Sequence, residues 1–216
     1  MPFRFLPARR ATLARVASLA ATAAFPAAAR AARAALEPTP PDAEGPFYPV
    51  RLPADADGDL ARVQGRPQGA RGTLLYLEGR VLATDGAPLA GAKVELWQCD
   101  ALGRYHHVHG ESGERDEGFQ GYGAVVTDAE GRYAFRTIRP VPYGGRPPHL
   151  HFKLAHARAA PLTTQLYPRG ESAERSAGFG LSGRTARSRL EFAPLPATGR
   201  EPGALAATYD FVLRPS

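Results

Sequence analysis

The chain has 216 residues, 44% of them hydrophobic, enough for one good-sized domain with its own core. Its single cysteine, Cys99, excludes an intrachain disulfide and any cysteine-based zinc site, and no apolar run approaches the length of a bilayer span. The formal charge of +6 belongs to one end: Arg4, Arg9, Arg10, Arg15, Arg30 and Arg33 lie in the first 34 residues, where there is no acid, so the remainder is neutral and nucleic acid is not an expected partner.

Residues 1–34 read as an export signal. Arg9-Arg10 precede an Ala-rich apolar stretch from Val16 to Phe25, followed by Ala-x-Ala sites at Ala29-Arg30-Ala31 and Ala32-Arg33-Ala34. The arginine pair fits the twin-arginine route and a periplasmic or secreted product without a membrane span. Residues 35–71, rich in Pro, Asp and Gly and containing Glu44-Gly-Pro-Phe-Tyr-Pro49, predict an extended arm. Asp55-Ala-Asp-Gly-Asp59 is no calcium loop, because Arg66 stands where an EF-hand needs its bidentate Glu.

Residues 72–216 form the predicted main domain, a mainly β, antiparallel β-sandwich with long active-site loops. Gly 23 and Pro 21 suit many short strands joined by turns. Strands are predicted at Leu74–Val81, Ala92–Gln98, Gly123–Thr127, Arg132–Thr137, His149–Leu154, Thr163–Tyr167 and Ala207–Leu213, with turns at Asp85-Gly86 and Asp128–Gly131. The only helix signal is one turn over Ser172–Ala177. Between Asp100 and Gly121 lies a loop long enough to be functional, carrying Tyr105, His106, His107 and His109.

The densest chemistry is Tyr143-Gly-Gly-Arg-Pro-Pro-His-Leu-His151, which continues Phe152-Lys153-Leu154. On a strand, Leu150, Phe152 and Leu154 point into a core and both imidazoles point the other way together. Two imidazoles so placed can bind one metal ion. They can equally form a polar strand face in water. His107 and His109 also share a face but have no neighbouring ligand type, which leaves them as supporting or surface residues.

Taken with Trp97-Gln98, Gly103-Arg-Tyr105, Thr127-Asp128 and Thr137-Ile-Arg-Pro-Val-Pro-Tyr143, the sequence resembles the intradiol ring-cleavage dioxygenases of the protocatechuate and catechol branch, in an exported form. The resemblance runs from about Glu44 to Phe211. It implies a non-haem ferric ion, Fe(III), held by Tyr105, Tyr143, His149 and His151, with Tyr143 the tyrosinate that leaves when substrate binds. Phenolate is an anionic oxygen donor suited to ferric iron, and a trivalent cation lowers a phenol's pKa far below its usual value.

The resemblance further implies a catechol-type aromatic substrate, O2 as co-substrate, and cleavage between the two hydroxylated carbons to a cis,cis-muconate-type diacid. Arg146 then stabilises charge building on the ring, Gln165 assists it, and Gly45 and Pro46 line the substrate pocket. Only Gly144-Gly145 separate Tyr143 from Arg146, where protocatechuate enzymes carry a longer insert with a tryptophan. The expected pocket is more open and suits small catechols, with Arg136 or Arg139 as the candidate cation for a substrate carboxylate. The chain carries both arm and ligands, which permits a monomer or a homo-oligomer. Two other classes remain: a secreted β-sandwich binding module without metal, and a zinc or copper enzyme using His149, His151 and a histidine from 106–109.

Overall fold

The computed structural model describes residues 35–109, 112–171, 186 and 188–216. The expected export signal and the helical turn at Ser172–Ala177 lie outside the described residues. Among those described, ten strands follow in order: β1 Leu74–Ala83, β2 Lys93–Trp97, β3 Tyr122–Val126, β4 Arg132–Ile138, β5 Leu150–His156, β6 Ala159–Pro168, β7 Glu191–Phe192, β8 Leu195–Pro196, β9 Leu205–Thr208 and β10 Phe211–Leu213.

They build the β-sandwich that the sequence predicts. In the first sheet β1 is central. It pairs antiparallel with β4 on one side and parallel with β9 and then β10 on the other, and β8 adds beyond β9. The second sheet runs β3-β2-β5-β6-β7. The parallel pairing of β6 with β7 and of β1 with β9 and β10 makes both sheets mixed, a refinement of the antiparallel expectation.

Alternation along the strands sets the core. Leu75, Leu77 and Val81 of β1 and Phe135 of β4 face Val94 and Leu96 of β2 and Leu150, Phe152 and Leu154 of β5. Phe152 joins the layers, with ring centroids 6.4 Å from Phe135 and 4.9 Å from Phe211. A buried side chain of this size contributes about 1.5–3 kcal/mol by leaving water.

The predicted strand Ala207–Leu213 is two strands. β9 and β10 break at Tyr209–Asp210, where the Tyr209 N–H donates to the Glu78 carbonyl and the Asp210 carboxylate accepts the Arg80 N–H. The crossing is possible because residue 79 is glycine: a Cβ there would lie 1.8 Å from the Tyr209 carbonyl oxygen. β7 and β8 have two residues each, too short to show alternation.

Residues 35–71 contain no strand; Asp59 makes an isolated bridge to Arg136. The segment around Gly58 lies between β3 and β4: the Ala124 N–H donates to the Asp57 carbonyl at 3.2 Å and the Arg136 N–H to the Gly58 carbonyl at 2.7 Å. The upstream part, from Asp42 to Val50, crosses the outer face of the second sheet. Asp42 N–H donates to the Thr163 carbonyl on β6, Glu44 pairs with Lys153 on β5, and Tyr48 meets Glu95 and Trp97 on β2.

Candidate metal centre

One rung of that outer face carries Tyr122, Trp97, His151 and Gln165 on β3, β2, β5 and β6. Trp97 stacks on the His151 imidazole, with centroids 4.8 Å apart and planes 11° from parallel. His149 sits just before β5, after Pro147-Pro148, rather than inside it as the sequence predicted. Its Nε2 nevertheless lies 3.1 Å from the Nε2 of His151, so the two imidazoles converge.

Loops bring the two phenols to the same point. Tyr105 comes from the segment after β2. The fully buried Asp100 organises that segment by accepting the N–H groups of Leu102, Arg104 and Asp116 and the His106 imidazole at 3.0 Å. Tyr143 comes from the connection between β4 and β5, closed by a Tyr143–Arg146 bridge. Gly103, in the left-handed region at φ 76°, lets the two loops meet: a Cβ there would stand 3.2 Å from the Tyr143 Cβ. The Tyr105 hydroxyl lies 3.1 Å from His151 Nε2, and the Tyr143 hydroxyl 3.4 Å from His149 Nε2.

Two oxygens and two nitrogens thus face one another. Donors bound to one ion at about 2.1 Å with angles of about 90–110° stand roughly 3.0–3.4 Å apart, which matches the observed separations. The Nδ1–H of His149 donates to the Pro147 carbonyl at 2.7 Å, which leaves Nε2 with its lone pair toward the centre. Burial pushes the His149 pKa down to about 4, with Arg146 adding to the effect against the Pro147 hydrogen bond, so the ring is neutral near pH 7. Burial also pushes His151 well below the usual imidazole value, reinforced by His149 and Arg146.

Burial and the neighbouring Tyr143 hold the Tyr105 phenol well above its usual value. Ionising it therefore requires a strong local cation, the property a trivalent metal supplies. The donor set fits ferric iron.

The other expected residues gather around these four. Arg146 donates from Nη2 to Gln165 Oε1 at 2.7 Å, and Gln165 Nε2 donates to the Ala43 carbonyl at 2.6 Å. A Cβ on Gly45 would lie 3.4 Å from His151 Cε1, so the arm passes directly over that ligand, while Pro46 is exposed. Arg136 and Arg139 do not serve as free cations here: Arg136 is paired with Asp59 and Glu201, and Arg139 with Glu171.

His106 turns to Asp100, and His107 turns to the Gln120 carbonyl at 2.9 Å. His109 is exposed. Among the described residues no group of three or more His, Cys, Asp or Glu side chains is placed to hold a metal, so the three-histidine zinc or copper site is not assembled.

Sequence reasoning did not single out Phe47, Tyr48 or Tyr167. Phe47 stacks on Tyr105 at 4.5 Å and meets Tyr143 edge-on at 6.0 Å. The Tyr167 hydroxyl lies within hydrogen-bond distance of Gln165 Oε1 and of the buried Asp42. The Phe-Tyr pair inside the arm motif was the available signal for the first two, but a turn-rich arm has no period from which to read a direction.

This fold and this convergence of two tyrosines and two histidines define a class, and the comparisons agree on it. A family model described as Dioxygenase matches residues 43–215. The protocatechuate 3,4-dioxygenase beta chain of Burkholderia cepacia is 36% identical over 186 residues, covering 80% of this chain and 78% of that protein. Catechol 1,2-dioxygenase 1 of Acinetobacter lwoffii is 34% identical over 151 residues, 62% of this chain and 47% of that protein. This chain thus spans about half the length of that relative.

Among solved structures, the dioxygenase domain of a dioxygenase carbohydrate-binding protein fusion from Streptomyces sp. SirexAA-E superimposes with a TM-score of 0.62 at 28% identity, covering 83% of this chain and all of that one. Catechol 1,2-dioxygenase from Pseudomonas arvilla C-1 does so at 0.61 and 26%, covering 82% and 62%. The chain belongs to the intradiol ring-cleavage dioxygenase family.

Proposed function

We propose that this protein is a non-haem Fe(III) intradiol dioxygenase that opens catechol-type rings between the two hydroxylated carbons, using O2, to cis,cis-muconate-type diacids. The observation that carries the reading is the convergence of the Tyr105 and Tyr143 hydroxyls with His149 and His151 Nε2. Tyr105, Tyr143, His149 and His151 would hold the ferric ion, which would supply a Lewis acid for adjacent phenolic oxygens to chelate and would withdraw electron density from the ring.

The protein's own groups have separable tasks. Tyr105 is buried and stacked under Phe47, which makes it the ligand that stays. Tyr143 is half-buried beside Gly144-Gly145, less enclosed than Tyr105, which makes it the ligand that leaves and takes a substrate hydroxyl proton at its phenolate oxygen. Arg146, held by Gln165, presents a fixed cation to electron density accumulating on the ring. Gly45 and Phe47 cover His151 and Tyr105 and keep bulk water from the ligands.

The short Gly144-Gly145 connection supports a preference for small catechols over protocatechuate. Turnover of protocatechuate equal to or better than catechol overturns that preference. Residues 1–34 support export by the twin-arginine route; a fusion retained in the cytoplasm when Arg9-Arg10 become Lys-Lys, but exported unchanged, tests it.

The visible spectrum of the purified protein tests the main reading. Tyrosinate on ferric iron gives a broad charge-transfer band that shifts on anaerobic addition of catechol and decays to a muconate when air enters. A protein that stays colourless after reconstitution with iron rejects it.

A further inference from the structure

Glu95 is 5% exposed on the outward face of β2, an expensive place for a carboxylate. Three donors offset that cost at Oε1: the Tyr122 hydroxyl, Lys93 Nζ at 2.7 Å and the Tyr48 hydroxyl at 3.2 Å. Tyr122 and Lys93 belong to the sheet itself. Tyr48 comes from the arm, 47 residues away in sequence.

The Tyr48 ring stands edge-on to Trp97 at 5.1 Å, and Trp97 stacks on His151. Lys153 Nζ lies 3.9 Å over the same ring and 2.6 Å from the Glu44 carboxylate. Glu44 and Tyr48 therefore pin both ends of Gly45-Pro46-Phe47, the piece that covers the ligands.

We propose that Glu95 is a positioning residue: by holding Tyr48 it keeps the arm closed and Phe47 seated on Tyr105. This deepens, and rests on, the ring-cleavage reading of the site. Glu95 touches neither the ligands nor the substrate space they define, so its contribution appears in arm order and substrate binding.

The test uses the iron-loaded protein and the variants Tyr48→Phe, Glu95→Gln, Glu95→Leu and the Tyr48→Phe/Glu95→Leu double. Amide hydrogen exchange of residues 44–50 is measured beside kcat and KM with catechol. Tyr48→Phe and Glu95→Leu are expected to speed arm exchange by about tenfold. They should raise KM by about three- to tenfold, with the larger part of the loss in KM rather than kcat. The double is expected to be no worse than Glu95→Leu, because both remove one interaction.

Glu95→Gln keeps an acceptor oxygen and should recover most of the arm order. Wild-type exchange in residues 44–50 of Tyr48→Phe, or effects that multiply in the double, overturns the proposal. Tyr48→Phe removes one oxygen from a half-buried ring, so it decides the matter even where Glu95→Leu fails to fold. Wild-type protein without catechol turnover sinks the ring-cleavage reading, and arm exchange still reports on the Glu95 anchor.

Discussion

Tyr105 and Tyr143 reach the centre from loops, so single residues in those loops decide whether the site assembles. Replacing Tyr105 by Phe removes a buried donor beneath the stacked Phe47 ring. Replacing Tyr143 by Phe removes a half-buried one at the Gly144-Gly145 turn. The expected outcome is a larger loss of bound iron for Tyr105→Phe than for Tyr143→Phe, read by metal analysis after dialysis. A shifted but surviving charge-transfer band is expected only in the second.

Gln165 is positioned differently, between Arg146 and the Ala43 carbonyl. Gln165→Leu leaves the guanidinium without that acceptor and the arm without that donor. It should lower kcat/KM by about ten- to a hundredfold, or about 1.4–2.8 kcal/mol of transition-state stabilisation, with iron content unchanged. Stopped-flow turnover beside metal analysis checks it. The four candidate ligands were legible because a His-x-His pair at the start of a strand and two tyrosines in recognisable words survive as local patterns. Phe47, Tyr48 and Tyr167 were not, because their roles depend on an arm folding back across strands more than forty residues away.

At the scale of elements, alternation made most of the sandwich readable: Leu150, Phe152 and Leu154 do point inward, and His151 outward, on β5. The sequence pattern failed at Tyr209–Asp210, where seven residues that read as one strand form two strands that pair with separate stretches of β1. Nothing local in Ala207–Leu213 records that break, because its cause is the carbonyl contact with Gly79 on another strand. Gly79→Ala is therefore expected to be severe for so small a change. Its methyl carbon would sit 1.8 Å from a backbone oxygen, so β1 or the β9–β10 crossing must shift. A loss of stability of about 2–4 kcal/mol is expected, seen as a lower denaturant midpoint. A midpoint within error of wild type would mean that the crossing relaxes freely.

For the whole molecule, two buried carboxylates tie the functional loops to the sandwich, and both respond to acid in the same direction. Burial by itself pushes the Asp100 carboxyl up, but His106 and the N–H groups of Asp116, Arg104 and Leu102 outweigh it and leave the pKa below the usual value. Burial likewise opposes Glu95, and Lys93, Tyr122 and Tyr48 together bring it below the usual value. A group whose pKa is lower folded than unfolded contributes stability that is complete above its unfolded pKa and is lost as pH falls through its folded one. Unfolded carboxylates titrate near about 4, so thermal stability should hold from neutrality to about pH 5 and then fall as acid increases.

Asp100 holds the Tyr105 loop, whereas Glu95 holds the arm, so acid should loosen both coverings of the ligand cluster together. Asp100→Asn keeps an acceptor oxygen but has no carboxyl to titrate. It should be less stable than wild type at pH 7, and its melting temperature should fall less steeply between about pH 5 and pH 3. Parallel melting curves for wild type and Asp100→Asn across that range would show that Asp100 carries none of the acid sensitivity.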